Sequence, residues 1–253
     1  MESGSPVSKK SRLFRSVDCE MEEVPSNAVD MNLSLHWTQW QILDSILPTG
    51  GFAHSYGLEA AMQSRMVNNQ EDLKSFVIQV LDNTGSLLLP FVYCASKSPD
   101  AAAWVRLDQL LEATLTNEVA RKASTSQGSA LLRVAASVFT EVQALQDLRR
   151  TFLGSKSVSF HHAPIFGLIC GLIDSETAQR AYMFVTMRDV FSVATRLNLI
   201  GPLAASVLQH QVAPDAERMM QKWRDRDISA ASQTAPLLDA LQGCHAYSRL
   251  FCS

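Results

Sequence analysis

The sequence predicts an all-α fold: a single-domain helical bundle of about ten helices behind a flexible N-terminal tail. Three observations carry that prediction. Apolar residues recur at helical spacing from Leu33 onward, caps and prolines punctuate them, and no stretch shows regularly spaced strands or strand and helix in alternation. The chain has 253 residues, of which 47% are hydrophobic, enough to bury a sizeable core.

The elements follow in order. Residues 1–32 are polar, charged and poor in aliphatic side chains, so they read as a disordered tail that cannot offset the entropy of ordering. The folded part, residues 33–244, opens with a stripe of Trp37, Trp40, Ile42, Leu43 and Leu47 on a short helix that Pro48 ends. Two glycines follow. A second helix is predicted over residues 55–65, and Asn68 and Asn69 ahead of Glu71 and Asp72 cap a third that carries Leu73, Phe76, Val77, Val80 and Leu81. Residues 86–96 are apolar on nearly every side and read as a central helix kinked at Pro90. Ser98 and Pro99 form a cap and first-turn pair for a helix with Trp104, Leu107, Leu110, Leu111 and Leu115. Residues 116–153 read as two helices with a break near Thr140. Pro164 opens a helix through Ile173, Ser175 caps one that reaches Leu197, and Pro202 starts another that should stop before Pro214. Shorter helices are expected over 215–224 and 236–242, leaving residues 245–253 as a C-terminal tail.

Charge narrows the function classes. With 22 basic and 25 acidic residues and a net charge of −3, the chain lacks the broad positive field that nucleic acid or anionic lipid requires. The five cysteines, Cys19, Cys94, Cys170, Cys244 and Cys252, are odd in number and form no CxxC pair, which fits free thiols in a reducing compartment. No apolar core of a secretory signal is visible, and the longest apolar run, residues 163–173, is too short to span a bilayer. A cytoplasmic protein that binds neither nucleic acid nor membrane is expected.

The densest local signal is the stretch Leu47-Pro48-Thr49-Gly50-Gly51-Phe52-Ala53-His54-Ser55-Tyr56-Gly57. Ala53 to Gly57 has the outline of a nucleophile elbow, which would make Ser55 the nucleophile of a serine hydrolase. That elbow works only on a strained strand-to-helix turn, and the preceding segment has helical periodicity. Ser55 reads more simply as a helix N-cap. Thr49-Gly50-Gly51 lacks the Gly-Lys-Ser/Thr ending of a phosphate-binding loop, so the glycines read as a tight connection between helices. His161 and His162 diverge by about 100° on a helix and cannot face one ion together. His36 and His54 read as ordinary core or surface histidines, Cys244-His245 with Cys252 suggests only a tail that meets a metal in passing, and no stably bound metal or cofactor is expected. Arg121-Lys122-Ala123-Ser124 has the form of a basophilic kinase site, while Arg121 could equally bridge a carboxylate inside the bundle. From the residues, a hydrolase using Ser55 and a generic helical adaptor both stay open.

The run from Asp44 to Glu59 closely resembles the signature of the UreF family of urease accessory proteins. The resemblance continues through Arg121 to Ser124 with Gln127-Gly128, through Pro164 to Gly167, through Arg196 to Pro202, and ends at Ser248 to Phe251. It implies a non-enzymatic, all-helical, dimer-forming scaffold. Such a scaffold assembles with UreD, also called UreH, and with the GTPase UreG to deliver nickel into the urease apoprotein. Nickel would be handled by the complex rather than stored. The implied partner-binding residues are Pro48, Gly50, Gly51, Ser55, Arg121, Arg196, Arg249, Leu250 and Phe251, with the tail from Arg249 to Phe251 docking on UreD. An apolar chain end gains little unless it buries against something, which fits docking but also folding back on the bundle. Asp44, His54 and Glu59 are expected around one helix-turn-helix corner, as transient nickel ligands or simply as groups that hold the corner. The extended N-terminus is expected of a eukaryotic member of the family, such as a plant one. Within it Ser11-Arg12-Leu13-Phe14 repeats Ser248-Arg249-Leu250-Phe251, which is either chance or a competitor for the same partner groove.

Overall fold

The computed structural model describes residues 37–155, 157–173, 177–243 and 250–251. The described residues form eleven α-helices and no strand. Helix α1 covers residues 37–43. It is followed by a single 3-10 turn, Gly51–Ala53, then α2 (Leu58–Gln63), α3 (Gln70–Leu87), α4 (Leu89–Lys97), α5 (Ala101–Thr114) and α6 (Glu118–Val138). The remaining helices are α7 (Gln143–Phe152), α8 (His162–Leu172), α9 (Ala178–Arg196), α10 (Pro202–Trp223) and α11 (Pro236–Gly243), with a second 3-10 turn at Ile228–Ala230. No single described helix is long and apolar enough to cross a membrane.

Helix α8 is the axis of the bundle. Every residue from Ala163 to Cys170 is buried, as its apolar composition on all sides requires, and the helix packs against α4, α5, α6 and α9. Helices α3 and α9 sandwich against α10, and α11 closes over α2 and α6. The predicted stripe of α3 is buried as read, and Asn69 caps it, accepting the Glu71 and Asp72 N–H groups at 3.0 Å each. The break near Thr140 separates α6 from α7 as expected.

Several local expectations are overturned. Helix α1 ends five residues before Pro48, and its inward side chains are Thr38 and Ile42, one turn apart, while Trp37 and Trp40 are 76% and 69% exposed. The central apolar segment is two helices bent by 44° at Leu88, with Pro90 harmless in the first turn of α4 rather than kinking an interior. Asp100, not Ser98, caps α5, because its carboxylate reaches the Ala103 N–H at 2.8 Å, while Ser98 terminates α4. Helix α10 runs straight through Pro214. A proline removes one backbone donor at a cost of about 3 kcal/mol. On the two flanks of Pro214, Leu208, Val212, Ala216, Met220 and Trp223 are all buried, and each large apolar side chain contributes about 1.5–3 kcal/mol. Ser175, the whole of the predicted N-terminal tail, and residues 245–249 and 252–253 of the C-terminal one lie outside the described residues.

Candidate partner-binding site around the glycine turn

Gly50 (φ 78°) turns the chain into the 3-10 turn, and Tyr56 (φ 55°) and Gly57 (φ 82°) turn it again into α2. Between them the backbone presses against α9. A Cβ on Gly51 would lie 2.7 Å from Asp189 Oδ2, so only glycine permits that approach. Asp189 is buried, accepts the Arg188 Nε and Nη2 hydrogens at 3.0 and 2.8 Å, and accepts the Tyr56 hydroxyl. Arg188 Nη1 also donates to the Leu43 carbonyl at the end of α1. One buried ion pair therefore fastens α1 and the glycine turn to α9. Burial pushes the Asp189 carboxyl up and Arg188 opposes it, while burial first, then Asp189, pushes the Tyr56 hydroxyl well up.

Phe52 lies between two cations, with the Arg188 guanidinium 5.3 Å and the Arg196 guanidinium 5.7 Å from its ring. Arg196 also stacks at 4.5 Å on the ring of Phe251, and its own pKa is lowered by burial. Across from it, the buried Glu59 in the first turn of α2 accepts two successive amides: Leu250 N–H on Oε1 at 2.7 Å and Phe251 N–H on Oε2 at 3.2 Å. The C-terminal segment thus divides. Phe251, expected on a partner, is only 7% exposed in the chain's own core, whereas Leu250 is 79% exposed. Arg249 lies outside the described residues.

Behind the turn is a cavity of about 110 Å³ with a mixed lining, polar at His54, Ser124, Gln127 and His162 and apolar at Val80, Leu87 and Leu115, with Tyr56 and Tyr182 also on its wall. Burial lowers both imidazoles to about 4, with the neighbouring His54 and Arg188 charges adding to the effect at His162. Both rings are neutral near pH 7. The Tyr182 hydroxyl lies 3.4 Å from His162 Nδ1.

Asp44, His54 and Glu59 do not gather as a joint metal site. Asp44 is exposed and accepts the Ile46 N–H at 2.9 Å, His54 faces the cavity, and both Glu59 oxygens hold the tail. Among the described residues no three His, Cys, Asp or Glu side chains gather as a metal site. Pro48 and Gly50 are exposed on the outer side of the turn. Ser55 is buried, follows a 3-10 turn rather than a strand, and accepts the Gly57 N–H at 3.3 Å, while Gly57 itself occupies the N-cap position. The elbow a hydrolase needs is therefore absent, and so is the predicted N-cap. Arg121 is half-buried, donates twice to the Leu115 carbonyl and pairs with Glu112 at 3.5 Å, the bridging role that its position allowed. Cys94 and Cys170 are free thiols.

Two features went unseen in the sequence. The Arg188-Asp189 pair is one, and its signal was a charged dipeptide inside a mostly apolar helix. The other is the joint between α5, α6 and α8. Asp108, fully buried, accepts the N–H groups of Ser159 (2.6 Å), Phe160 (3.3 Å) and His161 (2.6 Å). His161 then bridges Ser124 Oγ at 3.0 Å and Glu112 Oε2 at 2.8 Å, a hydroxyl, imidazole and carboxylate in series. The series has the outline of a triad, but Ser124 already accepts the His162 N–H at 3.2 Å and sits in mid-helix, where neighbouring amides are spent within α6. It fixes the start of α8.

The sequence profile of the UreF family matches residues 67–213. The chain is 78% identical over 257 aligned residues to urease accessory protein F of Oryza sativa subsp. indica, covering 100% of this chain and 98% of that protein. It is 65% identical to urease accessory protein F of Arabidopsis thaliana, over 87% of this chain and 93% of that one. A UreF-like urease accessory protein of Schizosaccharomyces pombe is 27% identical over 82% of this chain and 93% of its own length. A glycine turn locked to an all-helical bundle, a profile match over more than half the chain and end-to-end similarity to the rice protein place this chain in the UreF family, as a plant member.

Proposed function

We propose that the chain is a non-enzymatic scaffold for urease maturation in the cytoplasm. In this reading it assembles, as a homodimer, with UreD/UreH and the GTPase UreG, and the assembly passes nickel to the urease apoprotein. Family membership supports the accessory role, and the absence of a usable nucleophile at Ser55 removes the hydrolase alternative. The observation that carries the scaffold reading is the exposed Leu250 on a segment pinned to the signature turn through Glu59 and Phe251. A large apolar side chain held outward beside arginine and aromatic groups is what an interface anchor requires. The neutral imidazoles of His54 and His162 on the cavity wall suit brief contact with a borderline metal ion better than storage of one.

The test is co-purification with UreD and UreG, comparing the intact chain with Leu250→Arg, with masses read by size exclusion and light scattering. A ternary complex containing two copies of the intact chain, lost in Leu250→Arg while the far-UV spectrum is unchanged, supports the scaffold and places an interface at Leu250. Failure of the intact chain to bring down either partner overturns the reading in favour of a generic adaptor.

A further inference from the structure

The seat of the C-terminal segment has three parts. The Glu59 carboxylate takes two successive amides, the Arg196 guanidinium covers the phenyl ring that follows, and Phe52 backs the same cation. None of these contacts uses the Leu250 side chain, which points outward at 79% exposure. The seat therefore reads a backbone direction and a phenylalanine. Phe251 is followed by Cys252 and Ser253, so nothing in this recognition requires a terminal carboxylate.

A second segment of the chain meets the same requirement. Ser11-Arg12-Leu13-Phe14 repeats Ser248-Arg249-Leu250-Phe251 residue for residue and in the same direction. Its tether is long enough. The 23 residues from Phe14 to Trp37 reach about 75 Å at roughly 3.3 Å per residue, against about 45 Å across a domain of this size. The tether also begins close by. It joins α1 at Trp37, about 9 Å along the helix from the Leu43 carbonyl that Arg188 holds, and Arg188 shares the Phe52 ring with Arg196.

We propose that Glu59, Arg196 and Phe52 form a Leu-Phe peptide site with two mutually exclusive occupants in this chain, Leu250-Phe251 and Leu13-Phe14. The N-terminal copy takes the seat when the C-terminal copy leaves it. The groove that the two copies compete for is thus on this chain, not on a partner. Capture of the C-terminal segment by another protein, as one occasion for the exchange, rests on the function proposed above. The exchange itself does not.

Trypsin cleavage after Arg12 and Arg15 in the full chain tests it without any accessory protein. Phe251→Ala, which empties the ring seat, should slow both cuts at least about fivefold, as protection scales with the closed population. Adding Phe14→Ala should restore the original rate. Equal rates in the unmodified chain and Phe251→Ala, or slowing that survives Phe14→Ala, overturn the proposal. Should Phe251→Ala not fold, a synthetic peptide of residues 8–17 added to the unmodified chain decides. Faster amide exchange at Leu250 and Phe251 with that peptide, and not with its Phe14→Ala form, supports the site, and unchanged exchange sinks it. Because no partner is present, a failure here leaves the scaffold assignment standing, and a failed co-purification leaves the seat standing.

Discussion

Asp108 and Glu59 do the same chemistry at opposite ends of the molecule's commitments. Each is a buried carboxylate that accepts consecutive backbone amides from a distant segment, Ser159 to His161 in one case and Leu250 to Phe251 in the other. What differs is everything else the held segment does. The Asp108 segment leads directly into α8, buried along its length, and lies so close to α6 that a Cβ on Gly128 would come within 2.0 Å of the Phe160 carbonyl. The His161 ring is held on both sides as well. The Glu59 segment keeps one phenyl ring inside and one leucine outside. The same pair of hydrogen-bonded oxygens is thus a permanent joint when the chain is committed on both sides, and a latch when it is committed on one.

The largest effect should come from breaking the joint. Asp108→Ala strands three backbone donors that point at a fully buried carboxylate, a loss of about 3–5 kcal/mol by comparison with other buried charged acceptors. Denaturant midpoints should show it as a global destabilisation. Glu59→Ala, measured alongside, should cost less than half as much. Equal losses would mean that both segments are structural joints, and the distinction would fall.

Acid attacks the space between the two regions. The His162 N–H belongs to the joint through Ser124, and its ring shares the cavity with His54 of the glycine turn. Its folded pKa of about 4 lies below the ordinary 6.5, so the unfolded chain binds the proton first. Its contribution is fully present above pH 6.5 and is lost as pH falls from there towards about 4, a decline of up to about 3 kcal/mol. His162→Gln should flatten that slope in a series of unfolding curves between pH 7 and pH 4. An unchanged slope would place the acid sensitivity elsewhere.

Legibility in the sequence divides along the same line between local and distant commitments. The Asn69 cap, the α3 stripe and the break near Thr140 follow from neighbours within a few residues, and they were readable. The path through Pro214 was not, because the proline signal is local while the packing of Val212 and Met220 that overrides it is tertiary. Trp37 and Trp40 read as core along with Ile42, Leu43 and Leu47, but while Ile42 and Leu47 are buried and Leu43 packs on the core, both tryptophans are exposed. At the site, the glycine turn was plain from Gly50, Gly51 and Gly57, but the partner of each nearby acid was not. Glu59 looked like a metal ligand because its composition allows that chemistry; its actual ligands are two amides nearly two hundred positions away, and no spacing rule connects them.

The smallest effect is the sharpest. Glu59→Gln keeps one oxygen for one of the two amides and turns an NH2 group against the other, so the latch loses about 1–1.5 kcal/mol, a tenfold change in its opening equilibrium. Because the held segment carries little else, the denaturant midpoint should move by no more than about 0.5 kcal/mol equivalent. Amide exchange at Leu250 and Phe251 should quicken about tenfold while Ser159 to His161 stay protected. Asp108→Asn should do the reverse, lowering the midpoint with little selective effect on the tail. If Glu59→Gln instead lowers the midpoint as Asp108→Asn does, the tail is part of the global folding unit. In that case Leu250 is exposed on a rigid edge, and any partner that binds it meets a preformed surface rather than a segment it must draw out.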